Sequence, residues 1–182
     1  MIALTGIPVI DTPRLRLRGP EAADFDAFAG FMASPRAARV GGPVSRAQAW
    51  RSFGHLAGHW LMRGYSMFIL ADRDSGAPLG MAGPWFPEGW PEPEIGWSIW
   101  DPQAEGRGLA HEAATAARRF AYDSLGWTTA ISLIVEGNDR SEALARRMGC
   151  VHEGDFTHES LGGSRIFRHP GPDTAPMTGG AA

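Results

Sequence analysis

The sequence predicts a mixed α/β fold, in which one sheet contains both antiparallel and parallel strands. The strand and helix patterns follow the order strand, two helices, three strands, helix, strand, helix and two strands. Three strands in succession indicate antiparallel pairing, because short turns join antiparallel neighbours. Helices between the later strands indicate crossovers, which allow parallel pairing. A mixed sheet accommodates both kinds of connection.

The first half of the chain carries clear periodic patterns. Residues 14–18 alternate polar and apolar side chains, which is the period of a strand with one buried face. Ser45 is placed to cap a helix with apolar side chains at helical spacing, and two apolar runs joined by Asp, Ser and Gly predict a hairpin. The predicted elements are a strand at 14–18, helices at 20–32 and 45–63, and strands at 65–71 and 78–83.

The second half mixes strands and helices. Gly149 is placed to end a helix, because glycine readily adopts the left-handed conformation found there. From Pro170 onward there is almost no large apolar residue, so we expect one domain over residues 1–169 and a disordered tail over 170–182. The predicted elements are strands at 94–100, 128–135, from 151 onward and at 164–167, with helices at 106–122 and 141–148.

Composition excludes several classes of protein. With 182 residues, 43% of them hydrophobic, the chain can bury a core, and its net charge of −3 argues against nucleic-acid and membrane-surface partners. Lys is absent, which excludes lysine-based chemistry. A single cysteine, Cys150, excludes an internal disulfide and a Cys-rich zinc site, so we expect no metal and a reducing compartment, the cytoplasm.

A glycine-containing segment, 106–110, follows a predicted strand and opens a long helix. Helix N-termini leave backbone N–H groups unpaired and carry partial positive charge, which suits phosphate. The same glycines would also serve a tight turn without any ligand. A P-loop is excluded because the chain has no Lys, and His111 stands where a dinucleotide-binding fingerprint requires a small residue.

Four stretches carry a family resemblance together: Glu94-Ile-Gly-Trp97, Glu105-Gly-Arg-Gly-Leu-Ala110, Asn138-x-x-Ser141 and Met148-Gly149. In combination they resemble the GNAT superfamily of acyl-CoA-dependent N-acyltransferases, and most of all its RimJ/RimL-like branch of ribosomal-protein N-acetyltransferases. The resemblance covers roughly residues 10–168. It implies a mostly antiparallel central sheet of about seven strands with helices on both faces, and acetyl-CoA as cosubstrate.

The resemblance also implies where acetyl-CoA binds. The family's pyrophosphate pattern falls on Glu105, Gly106, Arg107, Gly108, Leu109 and Ala110. Glu105 departs from the usual Gln or Arg, so we expect its side chain to point away while its backbone N–H serves; Arg107 is either a phosphate contact or an exposed loop charge. The family's pantetheine-pairing strand falls on Ser98, Ile99 and Trp100. Asn138 matches the family's pantetheine-binding Asn and is equally placed to cap a helix.

Acyl transfer to an amine requires a neutral amine, stabilisation of the oxyanion and a proton for the departing thiolate. Glu94 resembles the family's strand Glu and is the candidate base, although its place on the strand also fits solvent exposure. Ala145 stands where many members have a Tyr acid, so Ser141 is the candidate donor or, alternatively, a helix cap. No Cys or Lys is placed for a covalent relay, which favours direct transfer in a ternary complex.

Three functions therefore stay open at this point. The first is an N-acetyltransferase acting on a primary amine, either a small molecule or a protein N-terminus. The second is a non-catalytic CoA-binding domain of the same fold, and the third is a protein-interaction domain without a cofactor. The Trp-rich segment 84–93 fits an acceptor-pocket wall, a core cover or a homodimer contact.

Overall fold

The computed structural model describes residues 5–158 and 162–172. In that part of the chain a single sheet of eight strands, in the order β1-β2-β3-β4-β5-β6-β8-β7, is flanked by four α-helices. All neighbouring strands are antiparallel except β5 and β6, which are parallel. The strands are β1 Ile10–Asp11, β2 Leu15–Arg18, β3 Phe68–Asp72, β4 Pro78–Trp85, β5 Glu94–Ile99, β6 Ile131–Val135, β7 Val151–His158 and β8 Gly162–Arg168. The helices are α1 Phe25–Met32, α2 Arg46–Arg63, α3 Leu109–Leu125 and α4 Asp139–Arg147.

The core is divided between the two faces of the sheet, as the alternation of β3 shows. Ile69 packs with α1 and α2, whereas Phe68 and Leu70 pack with α3 on the opposite face. Successive side chains of a strand point to opposite faces, so a strand covered on both sides is apolar throughout. A third cluster joins α3, α4 and the second half of the sheet around Ile95, Ile134 and Phe167.

Several helix ends are fixed by residues that the sequence singles out. The Ser45 hydroxyl accepts the backbone N–H of Gln48, and the Gln48 side chain accepts the Ser45 N–H, a reciprocal capping box that begins α2. After α4, Gly149 adopts a φ of 80°, a left-handed conformation that costs a glycine little.

The predicted order of elements is confirmed, with one added strand and shifted helix starts: α3 begins at Leu109 rather than Gly106, and α4 at Asp139 rather than Ser141. The sheet has eight strands because β1 is a two-residue strand, too short for a periodic pattern to reveal. The first helix begins at Phe25 rather than near residue 20, since Ala22–Asp24 form a 3-10 turn in which the Asp24 carboxylate accepts the Glu21 N–H. The predicted tail lies outside the described residues from 173 onward. Within the described ranges, no helix is both long and apolar enough to span a membrane.

Candidate active site

The parallel strands β5 and β6 pair at one point and then separate. The pairing is Glu94 with Ile131, where the Ile131 N–H donates to the Pro93 carbonyl. One step further, the Leu133 N–H donates to the Glu94 carboxylate, and the Ile95 carbonyl accepts the Ser132 hydroxyl. Side chains thus replace the next ladder bonds, and the two strands open into a wedge beyond Glu94.

The Glu94 carboxylate lies at the apex of this wedge and is 7% exposed. One oxygen accepts the Trp90 indole N–H at 2.5 Å, and the other accepts the Leu133 N–H at 3.1 Å. Burial nevertheless raises its pKa from an ordinary 4.5 to about 7, because removal from water outweighs the two hydrogen bonds. A carboxyl that titrates near neutrality is suited to accept and release protons.

The loop before α3 presents a row of backbone donors. Gly106 and Gly108 have φ values of 72° and 78°, which turn the chain sharply between the 3-10 turn Pro102–Ala104 and the helix. Within the described residues, the N–H groups of residues 106–111 have no acceptor, and the first backbone bond of the helix is from Glu112 to the Gly108 carbonyl. These free donors at the positive end of a seventeen-residue helix suit a phosphate group.

Glu105 differs in one respect from the sequence expectation. Its backbone N–H donates to the Pro102 carbonyl at 3.4 Å and closes the 3-10 turn, so the free donors begin at Gly106. Its carboxylate accepts the Arg36 guanidinium and, at 2.6 Å, the Arg140 guanidinium. These two cations keep the pKa of the Glu105 carboxyl below its ordinary value and neutralise a negative charge beside the donor row.

Arg36 joins this loop to the edge of β5. Besides Glu105, it donates to the carbonyls of Ile99 and Trp100, at 3.1 and 2.5 Å. The Trp100 N–H donates to Leu79 on β4, so alternation turns the backbone groups of Ile99 toward the wedge instead. The Ser98 side chain is buried and accepts the Trp100 indole N–H. Of the three predicted strand residues, Ile99 is therefore the one whose edge faces the wedge.

The start of α4 forms the opposite side of the wedge. The Asn138 side chain accepts the Ser141 backbone N–H at 3.3 Å, so Asn138 is the helix cap and Ser141 lies inside the helix. The Ser141 hydroxyl oxygen accepts the Trp97 indole N–H at 3.3 Å. Because that oxygen accepts the indole N–H and the described residues offer its O–H no acceptor, the proton of Ser141 can be donated into the wedge.

A cavity of about 470 Å³ lies between β5, β6 and the start of α4. Glu94 lines it together with Asn138 and Ser141 on the wedge side and Trp85 and Trp90 on the side of the Trp-rich segment. Trp85 and Trp90 thus form a wall of this cavity, and Trp85 also packs against the core cluster of the face covered by α1 and α2.

Cys150 lies outside the cavity lining and is buried, and burial raises its thiol pKa to about 11. It is a core residue, as predicted, and a poor nucleophile, since the thiolate is the reactive form. Among the residues with described positions, no group of three or more His, Cys, Asp or Glu side chains is arranged to hold a metal ion.

Of the residues that the sequence singles out, Glu94, Asn138 and Ser141 line one cavity, and the loop 105–110 is joined to that neighbourhood by the ion pairs of Glu105 with Arg36 and Arg140. Sequence reasoning did not identify Arg36 and Arg140, nor the hydrogen bonds of Trp90 to Glu94 and of Trp97 to Ser141, because these contacts cross between separate elements. Trp90 and Trp97 lie near Glu94 in a Trp-rich stretch, a signal that could have connected them with the carboxylate.

Comparison with known proteins matches most of this chain to one family. Residues 14–151 match the sequence profile of the acetyltransferase (GNAT) domain. That range includes Glu94, the loop before α3 and the start of α4, which together form the wedge.

Solved structures give a consistent comparison. The chain is 32% identical to an acetyltransferase from Agrobacterium tumefaciens str. C58, covering 93% of this chain and 98% of that one with a TM-score of 0.83. It is 27% identical to a GNAT-family protein from Bordetella pertussis, covering 90% and 99% with a TM-score of 0.75. RimL, the ribosomal L7/L12 α-N-protein acetyltransferase in complex with coenzyme A, shares the fold at 15% identity, with coverage of 89% and 97% and a TM-score of 0.70.

Proposed function

The chain belongs to the acetyltransferase (GNAT) domain family, and from that premise we propose that it transfers the acetyl group of acetyl-CoA directly to a primary amine in a ternary complex. The observation that carries the proposal is the wedge between β5 and β6, with a buried carboxylate at its apex and free backbone donors at the start of α3. We further propose that the chain falls by its sequence in the RimJ/RimL-like branch, a placement that does not fix its acceptor, and that it acts in the cytoplasm, where a lone free cysteine such as Cys150 stays reduced.

The residues of the wedge fit the chemistry of acetyl-CoA. The N–H groups of residues 106–111 would bind its diphosphate, with Arg107 as a further cation on the loop. The backbone N–H of Ile99, whose carbonyl already accepts Arg36, would pair with the pantetheine arm, together with the Asn138 amide, which lines the cavity. Arg36 and Arg140, which neutralise Glu105, prevent its charge from repelling the diphosphate.

Glu94 would act as the base that removes a proton from the attacking amine. It lines the cavity at the apex of the wedge, and its pKa of about 7 allows the ionised form to exist at neutral pH. The amine nitrogen then forms its bond to the acetyl carbon as the bond from that carbon to sulfur breaks. The amine proton goes to Glu94, directly or through a water molecule.

Ser141 would supply the proton that the departing thiolate requires. Its oxygen is positioned by the Trp97 indole N–H, which leaves its O–H available toward the wedge. Direct transfer is further supported by the lack of a nucleophile for a covalent relay: the chain has no Lys, and the thiol of Cys150 is buried with a raised pKa.

Two measurements test the proposal against its rivals. Release of free CoA thiol with an amine library measures turnover. Thermal shift with acetyl-CoA measures binding, which stabilises the folded state by an amount that grows with the logarithm of ligand concentration. The acetyltransferase function predicts turnover that Glu94→Gln lowers about 100-fold or more. Glu153→Gln, on the exposed β7, should leave the turnover unchanged. A thermal shift without turnover would instead support a non-catalytic CoA-binding domain, and no shift would support an interaction domain.

A further inference from the structure

Apolar side chains form the acceptor side of the cavity in front of Glu94. On the face covered by α1 and α2, its walls are Phe28, Met32, Leu56, Met67, Met81 and Trp85. Four of these, Phe28, Met32, Leu56 and Met67, are buried in the core cluster of that face. A molecule approaching Glu94 from this side meets hydrocarbon and aromatic surface before it reaches the carboxylate.

The aromatic part of this wall is held in a fixed orientation. His59 stacks on Trp85 with ring centroids 4.6 Å apart and an interplanar angle of 20°, and His55 meets Trp85 with its centroid at 5.0 Å. His59 is itself fixed, because Nδ1 contacts the Tyr65 carbonyl at 2.6 Å and Nε2 accepts the Phe86 N–H. A rigid flat wall favours an apolar ligand, since little conformational freedom is lost on binding.

Away from Asn138 and Ser141 on the wedge side, the serine hydroxyls of the cavity offer little to an acceptor rich in hydroxyl or amide groups. Three serine hydroxyls among the lining residues already have hydrogen-bond partners within the protein: Ser52, Ser98 and Ser132. A sugar hydroxyl or a peptide amide placed against these walls would lose its water partners without replacement.

The charges that face the cavity match one cation. Glu94 has no ion-pair partner among the described residues, whereas the other lining carboxylate, Glu88, is 97% exposed and paired with Arg63 at 2.7 Å. Arg39 lies at the rim and adds positive charge there. Partial desolvation and the neighbouring His59 lower the pKa of His55, which favours its neutral form. The first ammonium group of a ligand can pair with the Glu94 carboxylate. A second ammonium group would lie beside Arg39 or the apolar wall, where it has no anionic partner.

Resting on the proposed function, we infer that the acceptor is a small primary monoamine with an apolar body. Its single ammonium group meets Glu94, and its hydrocarbon or aromatic part packs against Trp85 and the wall formed by α1 and α2. Polyamines, amino sugars and peptide N-termini are disfavoured by the same walls, because each carries charges or polar groups that these walls leave unpaired.

Probes matched in length and size separate these classes. With saturating acetyl-CoA, kcat/KM is measured for hexylamine and 2-phenylethylamine against hexane-1,6-diamine, glucosamine and a peptide beginning with alanine. Hexylamine differs from the diamine only by the terminal ammonium group. We expect each of the two apolar amines to exceed each of the other three probes by about tenfold or more, the discrimination typical of an apolar pocket.

A substitution in the cavity lining is expected to improve turnover of diamines. Ser52 is exposed on α2 and lines the cavity, so Ser52→Asp adds a carboxylate on its acceptor side without disturbing the core. Ser52→Asn is the matched neutral control. Across a series of α,ω-diamines, Ser52→Asp should raise kcat/KM relative to the corresponding monoamines by about tenfold over Ser52→Asn, because the second ammonium then has a partner.

The possible results test the preference for apolar monoamines separately from the acetyltransferase function. Turnover that is as fast or faster with the diamine, glucosamine or the peptide would overturn the inference and leave the acetyltransferase function standing. A thermal shift with acetyl-CoA but no turnover of any amine would overturn both. Preference for the apolar monoamines, shifted toward diamines by Ser52→Asp alone, supports the inference.

Discussion

The burial of Glu94 should make the folded protein less stable as the pH rises from 4.5 to about 7. In this range the folded state retains the proton on Glu94, whose pKa is raised to about 7, while the unfolded chain releases it at an ordinary 4.5. Stability falls with pH wherever the folded state binds more protons than the unfolded state. The pKa difference corresponds to about 3 kcal/mol of unfolding free energy, which is lost by pH 8.

The measurement compares denaturant unfolding of the wild type and Glu94→Gln at several values between pH 5 and pH 8. The difference between the two proteins cancels the titration of every other group, so it isolates Glu94. The wild type should lose about 2–3 kcal/mol more than the variant across this range. Gln cannot accept both the Trp90 and the Leu133 N–H groups through oxygen, so at pH 5, where the wild-type carboxyl is still protonated, the variant should be less stable by about 1–2 kcal/mol.

Parallel pH profiles for the two proteins would refute the reasoning, because they would show that Glu94 titrates normally in the folded state. Glu153→Gln serves as control: Glu153 is exposed on β7 and its pKa is lowered by Arg168, so its removal should alter the profile in the opposite sense. The same ionisation should appear in catalysis as a rise in kcat/KM up to about pH 7, a limb that Glu94→Gln removes.

Three further predictions concern groups around the wedge. Arg140→Gln should weaken acetyl-CoA binding about three- to tenfold by leaving Glu105 partly unneutralised, and the double variant with Glu105→Gln should recover most of the loss, as measured by calorimetric titration. Ser141→Ala should lower kcat about tenfold or more while Ser141→Thr, which keeps the hydroxyl, retains most of it; equal rates for both would remove Ser141 from the mechanism. Ser45→Ala should cost about 1 kcal/mol in unfolding free energy through loss of the α2 cap and leave kcat per folded molecule unchanged, since the cap lies outside the wedge.

The order of elements could be predicted because each long element carries its own periodic pattern and end signals. Ser45 and Gly149 are local signals, and both act in the structure as the sequence indicates. The start of α4 was set too late, at Ser141, because Ser and Asn are both good caps and periodicity alone does not choose between them. The two-residue β1 forms through pairing with β2, which no local pattern records.

The site could be predicted only in the parts that lie on one stretch of chain. Glu94 was expected either in a cleft or in solvent. In the structure it is buried, because the Leu133 N–H and the Trp90 indole, which belong to other segments, both donate to its carboxylate. The sequence likewise cannot show that Ile99, rather than Ser98, turns its backbone toward the wedge, since this depends on which residue pairs with β4.

Glu105 shows how a departure from a family pattern can be compensated at a distance along the chain. A carboxylate at the edge of a phosphate-binding loop is unfavourable alone, because it repels the ligand that the N–H groups attract. Here Arg36, from the segment after α1, and Arg140, from the first turn of α4, both reach this carboxylate. Arg36 also binds two carbonyls of the β5 edge, so the ion pair joins the phosphate loop to both sides of the wedge. Glu105 thus has a structural role, because it holds two cations beside the site where the diphosphate is expected. Since these cations neutralise its charge, the carboxylate is compatible with binding of the diphosphate.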